Sequence, residues 1–354
     1  DHRYIHSFPT RRSSDLAQNN FLSGEVTTTS FEETNEAFLR RMTASLDIPY
    51  NSRENNHFPM SFYFGPNHFQ TLKAYGLELE SQINLGWAIM GWINRFVVIP
   101  VFNYLDGFNL NYGIIILILT IMLKIVLFPI AYKTYLSSAR MKVLKPDIDA
   151  LNEKFPKKED TMKKQQAIMA LYKKAGVNPM AGCIPMLLQL PILLALFHFF
   201  PASIELRQEG FLWADDLSSY DSILDLPFTI PFYGDHVSLF TLLMTISTII
   251  YTHMNTQMMS TGTMMPGMKT MLYIMPVMLL GIFNSFASGL SYYYFLTNML
   301  TFGQMYAFRL MINEDKIRHK IEENKKKPVK KSGWQQRLED MAKQQQLQQK
   351  KKKK

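Results

Sequence analysis

Long apolar runs alternate with polar segments along the central part of this chain. Five runs between residues 112 and 311 are apolar over roughly the length that crosses a membrane. A helix of about 20 apolar residues spans the hydrocarbon core of a bilayer. We therefore predict an all-α polytopic membrane protein with five transmembrane helices within residues 109–311. The predicted spans are about 112–132, 183–201, 237–257, 268–287 and 290–311.

The region before the first run has a different pattern. Residues 17–83 are polar and contain strand-like pieces at Gly24–Ser30 and Met60–Phe64. This pattern favours the C-terminal remnant of a β-rich domain. Residues 84–108 are more apolar and rich in tryptophan, and Trp92 and Arg95 suit the headgroup level of a bilayer. We predict an interfacial amphipathic helix there, although the segment is long enough to cross the membrane.

The first residues look foreign to the fold. The chain starts without Met, and Phe8–Leu16 (FPTRRSSDL) resembles the translation of a common sequencing adapter. We therefore interpret residues 1–16 as an artefact and exclude them from fold arguments. On this interpretation, any signal or first membrane helix of the natural protein is missing from this sequence.

Loop charges predict the direction of the spans. Residues 133–178 hold eleven Lys or Arg against five acids, whereas residues 202–236 hold one basic residue against seven acids. Short loops rich in Lys and Arg stay in the cytoplasm. We therefore predict that 133–178 and the C-terminus are cytoplasmic, and that 17–83 and 202–236 are periplasmic.

The segment 133–178 has the pattern of a helical hairpin. Met141, Leu144, Ile148 and Leu151 recur at helical spacing, and a second helix is predicted near 161–174. A hairpin of this size suggests a docking element. The alternative is a solvated loop that only fixes the topology.

The remaining cytoplasmic parts are a basic tail and a methionine-rich turn. Residues 312–354 end in a run of lysines, and we expect a largely disordered tail that attracts anionic lipid or ribosomal RNA. Its simpler interpretation is a solubilising tail.

The turn between the third and fourth spans contains many Met side chains, which suit binding of unlike apolar sequences. One alternative is that these side chains only fill apolar space at the membrane surface. The other is that their thioether groups bind copper.

Lys124 is the most informative single residue, because it lies near the middle of the first run. A charge at that depth costs roughly 2.5–3.5 kcal/mol on insertion scales and marks a functional site by default. The five runs contain no Asp or Glu that could neutralise it. We therefore expect Lys124 to face water within the membrane. Snorkelling of the side chain to the interface is the alternative.

Other polar residues recur along the runs. Thr120 lies one helical turn before Lys124, Gln189 lies in the second run, and Tyr293, Tyr294 and Asn298 lie in the last one. Singly, such residues are more often contacts between helices. Together with an unpaired lysine they favour a shared hydrated cavity.

Several chemistries find no support in the sequence. The single cysteine, Cys183, excludes an internal disulfide framework. The chain contains no phosphate-binding loop motif and no His-Glu-x-x-His zinc motif. We predict that the protein is not an enzyme, and we assign no catalytic residue, cofactor or metal.

A series of short motifs resembles the YidC family of bacterial membrane protein insertases. The resemblance covers residues 110–312. This stretch carries Thr120 and Lys124 and then, in family order, the segments LKP at 144–146, MALY at 169–172, NPMAGCIPMLLQLP at 178–191, IELR at 204–207, DDL at 215–217 and SGLSYYYFLTN at 288–298. Residues 60–87 are similar to the junction between the family's periplasmic β-sandwich domain and its interfacial helix.

The resemblance implies a membrane protein insertase and chaperone of the bacterial inner membrane that works without nucleotide hydrolysis. Its hydrated, positively charged groove would bind nascent transmembrane segments. The implied groove positions are Lys124, Thr120, Gln189, Tyr293, Tyr294 and Asn298. The implied partners are nascent membrane proteins, the ribosome, the phospholipid bilayer and, as a further candidate, the Sec translocon.

The sequence departs from the family pattern at one position, and two other functional classes are compatible with it. The groove charge of the family is usually arginine, and Lys124 keeps the charge but lacks the fork of donors. A small-solute transporter would use Lys124 as an anion site, yet the sequence shows no internal repeat of the kind common in transporters. A membrane-anchored scaffold without insertion activity is the third possibility.

Overall fold

The structure is a computed structural model that describes residues 22–30, 40–48, 50, 63, 65–155, 161–178, 184–258 and 268–326. Over these residues the fold is mostly helical. The chain divides into two compact units. The described residues within 1–85 and 202–207 form the first unit, and those within 86–201 and 208–354 form the second.

The first unit contains a small sheet. Strands β1 (Ser23–Ser30) and β2 (Arg40–Asp47) pair antiparallel, with Ser23 opposite Asp47 and Ser30 opposite Arg40. Strand β1 matches the predicted piece Gly24–Ser30, and β2 was not foreseen. Most of the second predicted piece, Met60–Phe64, lies outside the described residues. A short helix, α1 (Phe69–Ala74), follows.

The second unit begins with a nearly continuous helical stretch. Helix α2 (Ile89–Ile93) leads through a π-helical turn at Asn94–Val98 into α3 (Ile99–Asp106). Trp92 is exposed on this stretch. The stretch is therefore helical where the sequence predicts an interfacial helix, and its place at the membrane surface stays a prediction.

Helix α4 (Tyr112–Val143) is the longest element. Its N-terminus is capped by Asn111, whose side chain accepts a hydrogen bond from the Gly113 N–H at 2.9 Å. Its 32 residues extend about 48 Å at the helical rise of 1.5 Å per residue. Among the described residues, α4 alone is both long and apolar enough to cross a membrane by itself. It continues well past residue 132, where its apolar run ends, because residues 133–143 contain no Gly or Pro and about half of them are strong helix formers (Lys, Leu, Ala, Arg and Met).

Seven helices and a two-stranded sheet complete the described part of the second unit. The helices are α5 (Lys145–Lys154), α6 (Thr161–Ala175), α7 (Ile184–Ala202), α8 (Leu239–Met258), α9 (Met268–Phe283), α10 (Ser288–Met311) and α11 (Glu314–Lys326). The strands are β3 (Leu224–Ile230) and β4 (Gly234–Val237). A helix thus occupies each of the five apolar runs. That all five cross the membrane stays a prediction.

Helix α10 packs along both α4 and α8. Two glycines near the N-termini of α4 and α10 allow a loop to approach these helices closely. A Cβ on Gly113 would lie 2.1 Å from the ring of Phe211, and a Cβ on Gly289 would lie 2.9 Å from the carbonyl oxygen of Leu217. The loop of residues 208–222 can therefore rest directly on the first turns of α4 and α10.

This loop also caps α8. The buried carboxylate of Asp221 accepts hydrogen bonds from the Ser238 hydroxyl, the Trp213 indole N–H, and the backbone N–H groups of Leu239 and Phe240 at 2.5–3.1 Å. The first N–H groups of a helix have no partner within it. A carboxylate placed there satisfies them and interacts favourably with the helix dipole.

Helix α11 corrects one prediction. The segment 312–354 is predicted to be largely disordered, whereas residues 314–326 form a helix. Ile317 and Ile321 lie four residues apart and are buried in an apolar cluster with the hairpin. The cluster consists of Ala139, Met141, Leu144, Ile148, Ile168, Tyr172, Ala175, Val177, Ile317 and Ile321.

Two ion pairs border the same cluster. Lys142 Nζ lies 2.7 Å from Glu314, and Lys325 Nζ lies 2.7 Å from Asp147. The hydrogen bond from Lys142 is the main reason why the pKa of Glu314 lies below its ordinary value. The Lys142–Glu314 pair is exposed and the Lys325–Asp147 pair is partly buried, so the first contributes little to stability and both help to orient α11. Residues 327–354 lie outside the described part of the chain.

Candidate functional site

Lys124 lies on α4 and has a single side-chain hydrogen-bond partner in the described part of the chain. Its Nζ donates to Thr301 Oγ1 on α10 at 2.8 Å, and the Thr301 hydroxyl donates to its own helix at Thr297 O, 2.6 Å away. Within the described residues, no carboxylate forms a salt bridge with Lys124. An ammonium group has three donors, so the described residues leave two of them available.

A cleft of about 380 Å³ opens beside this lysine. Its volume is within the range of small-molecule pockets, roughly 300–1,000 Å³. Five of its seven lining residues are apolar, so the cleft presents one cation within apolar walls. The lining residues are Ile121, Lys124, Ile125, Phe128, Pro129, Leu300 and Gln304.

Local sequence shapes the cleft. Pro129 has no N–H to offer the carbonyl of Ile125, which weakens the helical hydrogen bonding of α4 at this level. Ile125 is 67% exposed. On α10, Gln304 lies three residues after Thr301, so both fall on the face towards Lys124, and Gln304 Nε2 lies 3.5 Å from the carbonyl oxygen of Lys124.

Thr120 does not share the cleft. Its side chain is buried, and its hydroxyl donates to Ile116 O of the same helix at 2.6 Å. Its spacing from Lys124 puts both on one helical face, as the sequence indicates. The hydroxyl is nevertheless satisfied by the backbone, a common outcome for threonine in apolar helices.

Gln189 and Tyr293 form a pair between α7 and α10. Gln189 Nε2 donates to Tyr293 Oη at 2.9 Å, and the tyrosine ring is buried. Tyr294, the next residue, is partly buried. The structure therefore brings two of the predicted site residues together, at a place other than the cleft.

Asn298 connects α10 to α8. Its Nδ2 donates to Ser247 Oγ and Thr248 Oγ1, each at 2.9 Å. Ser247 and Thr248 donate in turn to the carbonyl oxygen of Met244 in their own helix. Such bonds are typical of contacts between membrane helices.

The six predicted residues thus fall into separate groups, and of the six only Lys124 lines the cleft. The sequence places Thr301 in a polar stripe with Tyr294 and Asn298, but the predicted site includes neither Thr301 nor Gln304. The stripe formed by Tyr294, Asn298 and Thr301 continues to Gln304 at helical spacing, and this signal could have identified them.

Comparison with known proteins decides the family. The model of the family described as 60Kd inner membrane protein matches residues 104–319, which hold α4–α10 and part of α11. A relative from Parabacteroides distasonis named membrane protein insertase YidC is 49% identical over 315 residues, covering 85% of this chain and 50% of its own length. A relative of the same name from Bacteroides fragilis is 47% identical over 323 residues, covering 88% and 52%.

The chain belongs to the YidC family. The predicted resemblance is therefore confirmed. The chain spans about half the length of the YidC relatives it matches. A solved structure described as "Active YidC insertase crystal structure with the first transmembrane domain resolved" has a TM-score of 0.46 at 22% identity, covering 84% of this chain and 64% of that chain.

Proposed function

We propose that the chain is the inserting part of a YidC insertase that receives transmembrane segments at the Lys124 cleft and passes them into lipid. The observation that carries the proposal is the pairing of one available cation with apolar walls in an open cleft. Both parts of a membrane segment find a partner there. Its apolar stretch contacts Ile125 and Phe128, and an acidic flanking residue approaches Lys124.

The energies are of the required size. Two opposite charges 4 Å apart attract by about 4 kcal/mol at an effective dielectric constant of 20. Transfer of apolar surface out of water contributes about 25 cal/mol per Å². The two terms together lower the cost of bringing a polar flank partway across and then drive the segment into lipid. Nucleotide hydrolysis is unnecessary for this sequence of steps.

The other predicted residues take supporting roles in this proposal. Gln189 and Tyr293 form a hydrogen bond at the seam, meaning the contact between α7 and α10. If this contact opened, Tyr294 beside them would contact the apolar segment. Asn298 holds α8 against α10, and Thr120 is satisfied within α4.

The orientation follows from charge. Lys163, Lys173 and Lys174 are exposed on α6 of the hairpin, which favours a cytoplasmic location and salt-sensitive contact with ribosomal RNA. The acidic loop 202–236 and residues 17–83 would then be periplasmic. Nascent membrane proteins, the ribosome and the bilayer are the proposed partners, and the Sec translocon is a further candidate.

Site-specific photocrosslinking tests the proposal. A photoreactive amino acid replaces Ile125 in the cleft or, as a control, Ile274, an isoleucine on α9 that is 58% exposed. Membranes with each variant receive stalled ribosomes bearing a single-span nascent chain. We expect a crosslink from position 125 that requires the apolar segment, and little from position 274.

Two results would contradict the proposal. Equal crosslinking from positions 125 and 274 would mean that the nascent chain has no preference for the cleft. No crosslink from either position, with ribosomes bound and the protein folded, would favour the transporter or scaffold alternative. A third probe at Tyr294 reports whether the segment also passes the seam between α7 and α10.

A further inference from the structure

The hairpin of β3 and β4 presents an apolar tip that the described part of the chain leaves uncovered. Residues 226–233 (LPFTIPFY) contain no charged side chain, and Asp225 and Asp235 flank them. Phe228 is 61% exposed and Phe232 is 98% exposed. A two-stranded hairpin is only marginally stable in water, and exposed apolar patches usually mark a contact surface.

The tip is held against α9. A Cβ on Gly281 would lie 2.5 Å from the carbonyl oxygen of Phe232, so the missing side chain allows the turn to rest directly on the helix. Asn284 Nδ2 donates to Tyr233 O at 2.9 Å and to His236 O at 2.8 Å. These contacts fix Phe232 at the level of the last turn of α9, which ends at Phe283.

The same level of α9 is apolar on its outer surface. Met278 and Ile282 are exposed there, and Phe232, whose backbone lies beside Gly281 of the same turn, is exposed as well. If α9 crosses the membrane, its last turn lies at the boundary between headgroups and acyl chains. Aromatic side chains are favoured at that depth.

The backbone of Phe232 is strained. This residue has φ of +66°, a left-handed conformation that glycine or asparagine adopts at lower cost. Such strain persists where the surrounding structure holds it, and here the turn is held by its contacts with Gly281 and Asn284.

We propose that residues 226–233 dip into the outer leaflet and anchor the periplasmic ends of α8 and α9 in the headgroup region. The apolar tip therefore contacts phospholipid. This inference rests on the proposed function for the placement of α9 in the membrane. Its physical basis is the partition of uncharged aromatic and aliphatic side chains into the interface, with the two aspartates remaining in water.

Spin-label accessibility tests the proposal in the full chain. Cys183→Ser removes the single cysteine, and a nitroxide is attached to Phe232→Cys, to the hairpin control Asp235→Cys, or to Ile282→Cys as the α9 reference. The chain is reconstituted in vesicles of phosphatidylethanolamine and phosphatidylglycerol. The collision rate of the label is then measured with oxygen, which concentrates in acyl chains, and separately with a nickel chelate, which stays in water.

We expect the ratio of oxygen to nickel collisions at position 232 to exceed that at position 235 several-fold and to approach that at position 282. A label at 232 that meets nickel freely, while 282 meets oxygen, would overturn the lipid contact alone. Shielding of 232 from both agents would overturn it in favour of a protein partner. Free nickel access at 282 would overturn the membrane placement of α9, and with it the proposed function.

Discussion

Asp221 and Lys124 are two charged residues in opposite situations. Neither has a salt-bridge partner among the described residues. Asp221 is buried, and its carboxylate accepts four hydrogen bonds, two of them from the backbone at the start of α8. Lys124 is only partly buried, and its ammonium group donates to one hydroxyl.

The difference separates a structural charge from an available one. A buried charge whose hydrogen-bonding capacity is filled stabilises its surroundings and cannot bind anything else. A cation with unused donors beside an open cleft contributes little to folding and can receive a ligand. We therefore expect loss of Asp221 to impair stability, and loss of Lys124 to impair function.

The largest effect is expected for Asp221→Ala. This change leaves the Trp213 indole and two backbone N–H groups without an acceptor, and we expect a loss of about 3 kcal/mol in unfolding free energy. Thermal unfolding of the solubilised chain measures it. The control Asp215→Ala alters an exposed acid of the same loop and should stay within about 0.5 kcal/mol. Equal stability of the two variants would contradict the capping role.

Lys124→Met is expected to have the reverse profile. Methionine has a similar length and no charge, so stability should be unchanged or slightly higher. Insertion of substrates with an acidic flank should fall about tenfold, equivalent to about 1.4 kcal/mol. Lys124→Arg should retain activity. Protease protection in proteoliposomes measures insertion, with substrates that carry Asp or Asn in the flank. If the Met variant discriminates between the two flanks as the unmodified chain does, the charge argument fails.

Thr301→Val sharpens the comparison with a smaller effect. The change removes the hydroxyl partner of Lys124, and we expect a stability loss of about 1 kcal/mol. Insertion should fall less than about threefold, because the freed ammonium group can still reach an acidic flank. In the Lys124→Met background the same change should lose its effect on insertion. An undiminished effect there would show that Thr301 acts independently of the lysine.

The smallest expected effect concerns pH and Asp216, in the same loop as Asp221. Burial acts to raise the pKa of Asp216, but hydrogen bonds from the Ser218 hydroxyl and from backbone N–H groups outweigh it, so the pKa lies below its ordinary value. The unfolded chain then binds the proton more readily. The stability contribution is therefore present above the unfolded pKa of about 3.9 and is lost as pH falls through the lower folded value.

Acid titration of stability checks this. Asp216→Asn should reduce the loss of melting temperature between neutral pH and about pH 3. Glu209→Gln, at an exposed acid of the same loop, is the control and should leave the acid limb nearly unchanged. An identical acid limb in all three proteins would contradict the role of the Asp216 hydrogen bonds.

Parts of the candidate site could be predicted because they depend on local composition. Lys124 is conspicuous as the one charged residue of the first apolar run, near its middle. The partner of Lys124 could not be predicted, because Thr301 is 177 residues away and the contact depends on how α4 and α10 rotate against each other. Gln189 and Tyr293 were both identified as polar residues of the site, but their bond to each other depends on packing of α7 against α10.

The sequence by itself determined where the apolar helices lie, which loops are basic or acidic, and the family to which the chain belongs. The first two properties depend on the composition of neighbouring residues, and the third depends on short local motifs. None of them requires knowledge of contacts between distant parts of the chain. Only the tertiary structure decided that α11 docks on the hairpin through Ile317 and Ile321, and that the β3–β4 hairpin rests on α9 at Gly281. Each depends on a surface contributed by a distant part of the chain, and the free energy of packing against that surface outweighs the weak local preference.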